Sequence, residues 1–272
     1  DAKNVIATVK TSKHAVSIGG GFISFEMCDM LRLAGIDVTL IIREAYYWEP
    51  MLDEMSGRMI EEALEKGGVK IMRNTEVSRI IGENSVEAVM SNHGEKIPCQ
   101  IVMVGIGVYC PFEWVAASGV KVNRGILADE YLATNVPDIW VAGDSAEFKD
   151  IILGEQIQLG NWVNAQIQGR IAGLNMTGAK NPFSMVSFYT TQGFGITIAF
   201  IGDARPEKDR LIIHRGSKAL NAYGRLLIKD GKLIGATLIN RTQELGYLSK
   251  LIEKKIDLSS KESELSDASF NL

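Results

Sequence analysis

Cysteine is scarce in this chain, and its spacing excludes a disulfide framework. The 272 residues include three cysteines, Cys28, Cys99 and Cys110, and no two of them form a C-x-x-C pair. An odd, scattered set indicates a reducing compartment, so we predict a cytoplasmic protein. Cys28 falls within a predicted helix, where we expect a buried and unreactive thiol.

Long apolar runs and basic clusters are also missing. No uninterrupted apolar stretch approaches the ~18 residues of a membrane-spanning helix, and no signal peptide precedes the first predicted strand. The formal net charge is −4 at pH 7 without a concentration of lysine or arginine, which argues against nucleic acid or an anionic membrane as a partner. A hydrophobic share of 46% is ordinary for a globular protein, and the length suggests about two domains.

The strongest positive signal is a glycine-rich turn between a short strand and a helix. An apolar strand at 15–18 leads into three glycines at 19–21, a helix follows up to Gly35, and a second apolar strand covers 38–42. This order within about 30 residues is typical of a βαβ dinucleotide-binding unit. We therefore predict an α/β fold with a dinucleotide site at the turn. The alternative is a turn whose glycines serve only backbone geometry.

The turn reads Gly19-x-Gly21-x-x-Ser24, a G-x-G-x-x-G fingerprint with serine in the third place. Gly19 permits a tight turn, and Gly21 lets a pyrophosphate approach the backbone because it has no Cβ. Ser24 is small enough for the helix to pack closely on the strand. The unpaired N–H groups at the helix N-terminus would face the phosphates. The predicted contact residues are Gly19, Gly20, Gly21, Phe22, Ile23 and Ser24.

The end of the second strand leaves the choice of coenzyme open. An acidic residue about 20 positions after the turn would bind the ribose hydroxyls of NAD. Ile42 stands at that place, followed by Arg43 and Glu44. Arg43 could accept the 2′-phosphate of NADP, or it could be a solvated surface arginine.

Further elements complete this first unit. They are a lead-in helix at 1–10, an amphipathic helix at 51–66, and strands at 69–72, 76–81, 86–91 and 101–108. The methionines of the amphipathic helix are expected in the core, not as ligands, and we predict no metal site. Gly105 and Gly107 lie at the end of the last strand, where open α/β sheets bind ligands.

The second half of the chain has a different pattern. Its predicted elements are helices at 112–118, 160–177 and 243–255, and strands at 139–142, 187–191, 196–201, 210–215, 224–229 and 233–239. Gly143 and Asp144 follow the first of these strands, where a carboxylate could accept hydrogen bonds from sugar or polyol hydroxyls. Alternatively, Asp144 caps the next turn. Asp230-Gly231 is a hairpin signal, and the Ser-, Glu- and Asp-rich stretch 257–272 is predicted to be disordered.

Together these motifs resemble the FAD-dependent pyridine nucleotide-disulfide oxidoreductases, especially the ferredoxin and rubredoxin reductases and NADH oxidases. V-S-I-G-G-G-F-I-S-F-E resembles the glycine motif of that family's NAD domain, V-T-L-I-I-R its second strand, and V-G-I-G-V the strand beside the nicotinamide. A-T-N-V-P-D-I-W-V-A-G-D resembles the second FAD motif, and G-N-W-V-N-A-Q-I-Q-G-R-I-A-G the helix after it. The resemblance covers about residues 13–176 and extends more loosely to the terminal unit.

The resemblance implies a Rossmann-like three-layer NAD(P)-binding domain with a β-meander, joined to several further parts. The implied parts are a lead-in segment at 1–12, the NAD(P) domain at 13–111, the second segment of an FAD-binding domain at 112–182, an α+β interface domain at 183–256 and a tail at 257–272. It also implies hydride transfer from NAD(P)H to FAD and on to a small electron-carrier protein or small molecule, in a homodimer.

The family assigns roles to the matched positions. Glu26 would lie near the nicotinamide amide, and Gly107 would let the nicotinamide stack on the flavin. Asp144 would bind the ribityl or phosphate oxygens of FAD, and Trp162 would lie beside the isoalloxazine. No residue is assigned to catalysis, because any redox cysteine would lie in the family's first FAD segment.

That first segment carries its own G-x-G-x-x-G and is expected before Asp1. Without it, several charge-assisted hydrogen bonds to the FAD pyrophosphate would be lost, each worth about 1.5–3 kcal/mol. We therefore expect the 272-residue chain to bind NAD(P) but to retain FAD poorly. The alternative function is a non-catalytic NAD(P)-binding module.

Overall fold

A computed structural model describes residues 2–269, and its first unit is a three-layer α/β structure. Its elements are α1 (Ala2–Val9), β1 (His14–Ile18), α2 (Phe22–Leu33), β2 (Asp37–Ile41), α3 (Glu54–Lys66), β3 (Val69–Met72), β4 (Val77–Ile81), β5 (Ala88–Ser91), β6 (Lys96–Pro98) and β7 (Ile101–Val104). Strands β3-β2-β1-β7 form a parallel sheet, and β4-β5-β6 form an antiparallel meander. Helices α2 and α3 cover one face of the parallel sheet and the meander covers the other, which confirms the predicted architecture.

Local chemistry explains where these elements begin and end. Helix α3 begins three residues later than predicted, because the Asp53 carboxylate caps it by accepting a hydrogen bond from the Ser56 N–H at 3.0 Å. Strand β7 ends at Val104, four residues earlier than predicted, because Gly105 makes the last bond to β1 and Gly107 has a φ of +103°. Cys28 is fully buried under the sheet, and burial raises the pKa of its thiol to about 12. Its expected burial is thus confirmed.

The second unit is small and short-stranded. Its elements are α4 (Glu113–Ala116), β8 (Ile126–Ala128), β9 (Ala146–Lys149), β10 (Gln156–Gln158) and α5 (Trp162–Met176). The predicted strand at 139–142 is wrong, because these residues make only an isolated bridge between Trp140 and Ala133. Their apolar pattern reflects burial: Val141 belongs to the core cluster that also contains Phe148 and Ala172 of α5.

The third unit is a five-stranded antiparallel sheet. Its elements are β11 (Phe188–Gly193), β12 (Ile196–Gly202), β13 (Leu211–Ser217), β14 (Ala222–Lys229), β15 (Lys232–Ile239), α6 (Leu245–Lys254) and α7 (Glu262–Ser266), with strand order β11-β12-β15-β14-β13. All five strands agree with the sequence pattern, as does the hairpin at Asp230-Gly231, where both φ angles are positive. One face of the sheet, with Ile198 and Ile239, joins the core of the first unit. The other face packs under α6.

The stretch after α6 is ordered as far as the structure describes it, so the predicted disorder is wrong for residues 257–269. Leu265 of α7 is buried, and the buried Arg215 guanidinium donates Nη1 hydrogen bonds to the carbonyls of Leu265 at 2.8 Å and Asp267 at 3.0 Å. A few apolar residues suffice here because Arg215 holds the backbone. Residues 270–272 lie outside the described part of the chain.

Replacing Arg215 by methionine should release this terminal segment. The variant loses the two charge-assisted hydrogen bonds to the terminal backbone, each worth about 1.5–3 kcal/mol, together with two more to Oε1 of Glu244 at 3.1 and 3.2 Å. Cleavage by a glutamate-specific protease at the exposed Glu262 and Glu264 should therefore become about tenfold faster or more. Lys250→Met, which removes an exposed cation from α6, should leave the cleavage rate unchanged. Equal rates for all three proteins would contradict the role given to Arg215.

None of the helices within residues 2–269 has the length and apolar character that crossing a membrane requires.

Candidate functional site

A cleft of about 540 Å³ opens at the carboxyl edge of the parallel sheet, beyond β1, β2 and β7. The glycine turn lines it on one side, and Gly105 and Gly107 line it on the other. Ligands of open α/β sheets bind at this edge, and sites for small molecules measure about 300–1,000 Å³. The cleft therefore has the place and size expected of a ligand site.

The two glycine segments approach each other too closely for side chains. Gly19 has a φ of +106°, and a Cβ there would lie 2.4 Å from the Gly105 carbonyl oxygen. A Cβ on Gly105 would in turn lie 2.6 Å from the Ser24 hydroxyl. Serine in the third motif position is thus accommodated because residue 105 is glycine.

Gly21 has a different reason to be glycine. It is the N-cap of α2 in an ordinary extended conformation, and no side chain caps this helix. A Cβ on Gly21 would meet nothing within 4 Å, because it would project into open space. The first N–H groups of α2, on Phe22, Ile23 and Ser24, are those without intrahelical acceptors. An open cradle beside such donors fits a pyrophosphate.

Carboxylates dominate the rim where a coenzyme ribose is expected. Arg43 lines the cleft, but its side chain is 75% exposed and its Nε lies 2.7 Å from Oε1 of Glu44. This hydrogen bond raises the pKa of the Arg43 guanidinium. Glu44, Glu49 and Glu76 also line the cleft, so its lining holds three carboxylates and one arginine that is already paired. The position of Glu44 directly after Arg43 is the sequence signal for this arrangement.

The start of α2 is bound to the third unit. The Phe22 ring packs against Trp48, Tyr189 and Phe200, with centroid distances of 4.2, 3.8 and 5.2 Å. The Glu26 carboxylate accepts hydrogen bonds from the Tyr189 hydroxyl at 2.5 Å and the Thr191 hydroxyl at 2.9 Å. Burial, followed by the bond to Glu26, raises the pKa of Tyr189. Glu26 therefore joins two units, and its role near a nicotinamide stays a prediction.

Two buried groups behind the glycine turn were not identified from the sequence. The Tyr47 hydroxyl donates a hydrogen bond to the Gly21 carbonyl at 2.7 Å, and the Tyr47 N–H donates to Oε1 of Glu61 at 3.0 Å. Tyr47 lies in a loop without motif spacing, and Glu61 lies on the otherwise ordinary helix α3. No sequence signal could have linked them to the turn.

A second cleft, of about 280 Å³, lies next to the first and is lined by Val108, Cys110, Asp144 and Gly160, among others. The Asp144 side chain is exposed and caps no helix, which disfavours the capping alternative. Its backbone carbonyl accepts a hydrogen bond from the Gln158 side chain at 2.7 Å. A free carboxylate beside a cleft suits the hydroxyls of a polyol such as the ribityl chain of FAD.

Gly143 and Trp162 are not among the residues that line this second cleft, but each lies within two positions of one that does, Asp144 or Gly160. The Gly143 N–H donates to Oε1 of the buried Gln168 at 2.7 Å, with a φ of +81° at Gly143. Trp162 is the first residue of α5, after an Asn161 side chain that accepts the Asn164 N–H at 2.8 Å. The indole is 76% exposed, so it is free to contact a planar ring. The exposed indole fits a place beside a flavin, whereas the buried Gly143 already pairs its N–H within the chain.

The chain belongs to the family of pyridine nucleotide-disulphide oxidoreductases. The sequence profile of this family matches residues 1–169, and that of the rubredoxin NAD+ reductase C-terminal domain matches residues 190–256. The matched families confirm the resemblance seen in the motifs.

Among curated relatives, the chain is 28% identical over 272 residues to the biphenyl dioxygenase system ferredoxin–NAD(+) reductase component of Paraburkholderia xenovorans, covering 100% of the chain and 66% of that protein. It is 27% identical over 261 residues to nitrite reductase [NAD(P)H] of Bacillus subtilis, covering 95% of the chain and 32% of that protein. The chain therefore spans 32% and 66% of the length of these relatives.

Solved structures give the same relationship. The ferredoxin reductase for the CYP199A2 system of Rhodopseudomonas palustris superposes with a TM-score of 0.87 at 25% identity, covering 99% of this chain and 66% of that one. The covalent complex of putidaredoxin reductase with putidaredoxin superposes with a TM-score of 0.85 at 24% identity, covering 94% of this chain and 62% of that one. At this identity the similarity supports only the fold.

Proposed function

We propose that this chain belongs to a flavoprotein oxidoreductase that transfers a hydride from NAD(P)H to FAD and passes the electrons to an acceptor. One observation carries the proposal: the loop after β7 lines both clefts. Gly105 and Gly107 face the glycine-turn cleft, and Val108 and Cys110 face the second cleft. A nicotinamide in the first cleft and a flavin in the second would therefore lie side by side.

The residues have distinct roles in this proposal. The N–H groups of the glycine turn hold the coenzyme pyrophosphate, and Gly105 and Gly107 leave room for the nicotinamide. Gly143, Asp144 and Trp162 face the flavin. When bound, FAD accepts the hydride and hands its electrons on. The protein contributes orientation, which alone can account for several kcal/mol of a barrier. The residues proposed to contact the nicotinamide coenzyme are Gly19, Gly20, Gly21, Phe22, Ile23, Ser24, Glu26 and Arg43.

Anaerobic spectroscopy tests this proposal against the alternative, a non-catalytic NAD(P)-binding module. The purified chain is supplied with FAD and then titrated with NADH. Loss of the oxidised flavin absorbance faster than in protein-free FAD supports the oxidoreductase. Saturable NADH binding without reduction of FAD that quenched flavin fluorescence shows to be bound to the chain supports the binding module. Absence of NADH binding contradicts both functions.

We further propose that the coenzyme is NADH, because the 2′-phosphate of NADPH would meet Glu44, Glu49 and Glu76 around a paired Arg43. Wild-type chain should bind NADH at least about tenfold more tightly than NADPH. The double variant Glu44→Gln, Glu76→Gln should narrow that ratio by about tenfold, or about 1.4 kcal/mol, since like charges repel the phosphate.

Fluorescence titration with both coenzymes measures this ratio. Glu54→Gln, which neutralises an exposed carboxylate at the start of α3, is the control and should leave the ratio unchanged. Tighter binding of NADPH by the wild-type chain would contradict the proposed preference.

The acceptor and the assembly are further proposals. Relatives named as ferredoxin and rubredoxin reductases support a small electron-carrier protein as the acceptor. The predicted homodimer has less support, since both faces of the antiparallel sheet are covered within one chain, and light scattering would decide it. The three free cysteines support the proposed cytoplasmic location.

A further inference from the structure

The carbonyl of Gly21 is held by two donors at once. It accepts the first hydrogen bond of α2 from the Phe25 N–H at 3.1 Å, and it accepts a second from the Tyr47 hydroxyl at 2.7 Å. Tyr47 comes from the loop after β2 and is fully buried. Burial raises the pKa of Tyr47 well above its usual value, so its hydroxyl remains a donor.

Holding this carbonyl also sets the direction of an N–H group. The Gly21 C=O and the Phe22 N–H belong to one planar trans peptide, in which they point in opposite directions. The Phe22 N–H is the first of the α2 donors without an intrahelical acceptor. Fixing the carbonyl toward Tyr47 therefore fixes the N–H away from Tyr47, on the side open to a ligand.

Tyr47 is itself held by the buried carboxylate of Glu61, which pairs with two partly exposed arginines. Its N–H donates to Oε1 of Glu61 at 3.0 Å, and the Glu61 side chain is 1% exposed. Oε2 of Glu61 lies 2.8 Å from Nη1 of Arg58 and 3.0 Å from Nη2 of Arg73. A carboxylate with two guanidiniums and a backbone donor is electrostatically satisfied despite its burial. The Tyr47 main chain thus has a fixed support on α3.

We propose that Tyr47 is a positioning residue for the phosphate-binding turn, with Glu61 as its support. The hydroxyl orients the peptide between Gly21 and Phe22 before the coenzyme arrives, so that its N–H is ready for the pyrophosphate. Preorganised donors avoid the ordering cost of binding. This inference rests on the proposed use of the turn by NADH.

Tyr47→Phe tests the inference, because it removes the hydroxyl and keeps the ring. The dissociation constant for NADH should rise about tenfold, and that for ADP-ribose, which carries the same pyrophosphate, should rise equally. Adenosine, which has no phosphate, should bind the variant as it binds the wild type. A general loosening of the site would weaken all three ligands, so the comparison separates positioning from structural damage.

The neighbouring tyrosine offers a matched control. Tyr46→Phe removes a hydroxyl for which the structure gives no hydrogen bond among the described residues, so its binding constants should equal those of the wild type. The ligands are measured by NADH fluorescence and its displacement, and thermal unfolding checks the fold of each variant.

The outcomes separate this inference from the proposed function. If the wild type binds NADH and Tyr47→Phe binds it with the same dissociation constant, the positioning role is overturned. The proposed function then still stands. Equal weakening of adenosine also overturns it. If the wild-type chain binds no NADH, the proposed function fails and the inference fails with it.

Discussion

Replacing Gly21 by valine should raise the dissociation constant for NADH about 100-fold, or about 2.7 kcal/mol, while the fold remains intact. The backbone at Gly21 has a φ of −123° and a ψ of −172°, which β-branched residues adopt readily. The new Cβ would touch no protein atom within 4 Å. It would instead occupy the space that the pyrophosphate needs, so most of the cost falls on binding and a smaller part on the N-cap of α2.

Gly246→Val is the matched control for this experiment. A Cβ on Gly246 would also meet nothing within 4 Å, but this residue lies on α6, away from the glycine turn. Both variants should unfold near the wild-type temperature, and calorimetric titration should show weakened NADH binding only in Gly21→Val. Unchanged affinity in Gly21→Val would remove the glycine turn from the proposed site.

Replacing Asp203 by asparagine should destabilise the chain by about 3 kcal/mol. Asp203 Oδ2 lies 2.6 Å from Nη2 of Arg205 and 2.8 Å from Nη2 of Arg210, whose side chain is 1% exposed. Removing one partner of a buried ion pair costs about 3–5 kcal/mol, because the other charge stays buried. Glu207 and Asp209 lie 3.8 and 3.7 Å from the Arg210 guanidinium and are half exposed, which favours the lower end of that range.

The pH dependence of this effect has a definite sign. Burial opposes ionisation of Asp203, but hydrogen bonds from Arg205 and Arg210 outweigh it and hold the pKa well below its usual range. A lowered folded-state pKa stabilises the fold fully above about pH 3.9, the pKa in an unfolded chain, and the contribution is lost as the pH falls toward the folded-state value. The gap between wild type and Asp203→Asn should therefore be constant near neutrality and shrink below about pH 4.

Urea unfolding at pH 7 and pH 3 measures both effects. Asp37→Asn is the control, because Asp37 forms an exposed pair with Arg32 at 2.8 Å and its side chain is 71% exposed. Surface pairs contribute about 0–1 kcal/mol, so this variant should unfold near the wild type. Equal losses of unfolding free energy in Asp203→Asn and Asp37→Asn at pH 7 would contradict the importance of the buried pair.

Patterns local in sequence made much of the fold predictable. The βαβ unit followed from an apolar strand, three glycines and a helix that ends at a glycine, and the third unit followed from five short apolar strands and the Asp230-Gly231 hairpin. The strand predicted at 139–142 was wrong because burial against a helix and burial in a sheet produce the same short apolar run. The disorder predicted for the terminal segment was wrong because the order of that segment depends on Arg215, about 50 residues earlier.

The candidate site also has a part that the sequence predicts and a part that it does not. The glycines of the turn are recognisable by their motif spacing, in which Gly19 also needs a φ of +106° that other residues rarely adopt, and Asp144 is recognisable as the last residue of a motif. Tyr47 and Glu61 act through bonds to distant backbone atoms, and Glu26 meets Tyr189 across 163 positions. Contacts of that kind are set by the packing of one unit on another, and no local spacing in the sequence indicates them.

A titration of the isotopically labelled chain with NADH, followed by amide NMR, tests the central claim most directly. The proposed site predicts chemical-shift changes centred on the N–H groups of residues 19–24 and 105–107, saturating at one NADH per chain. Saturable changes centred elsewhere, or none at any NADH concentration, would contradict the assignment of the glycine-turn cleft to the coenzyme.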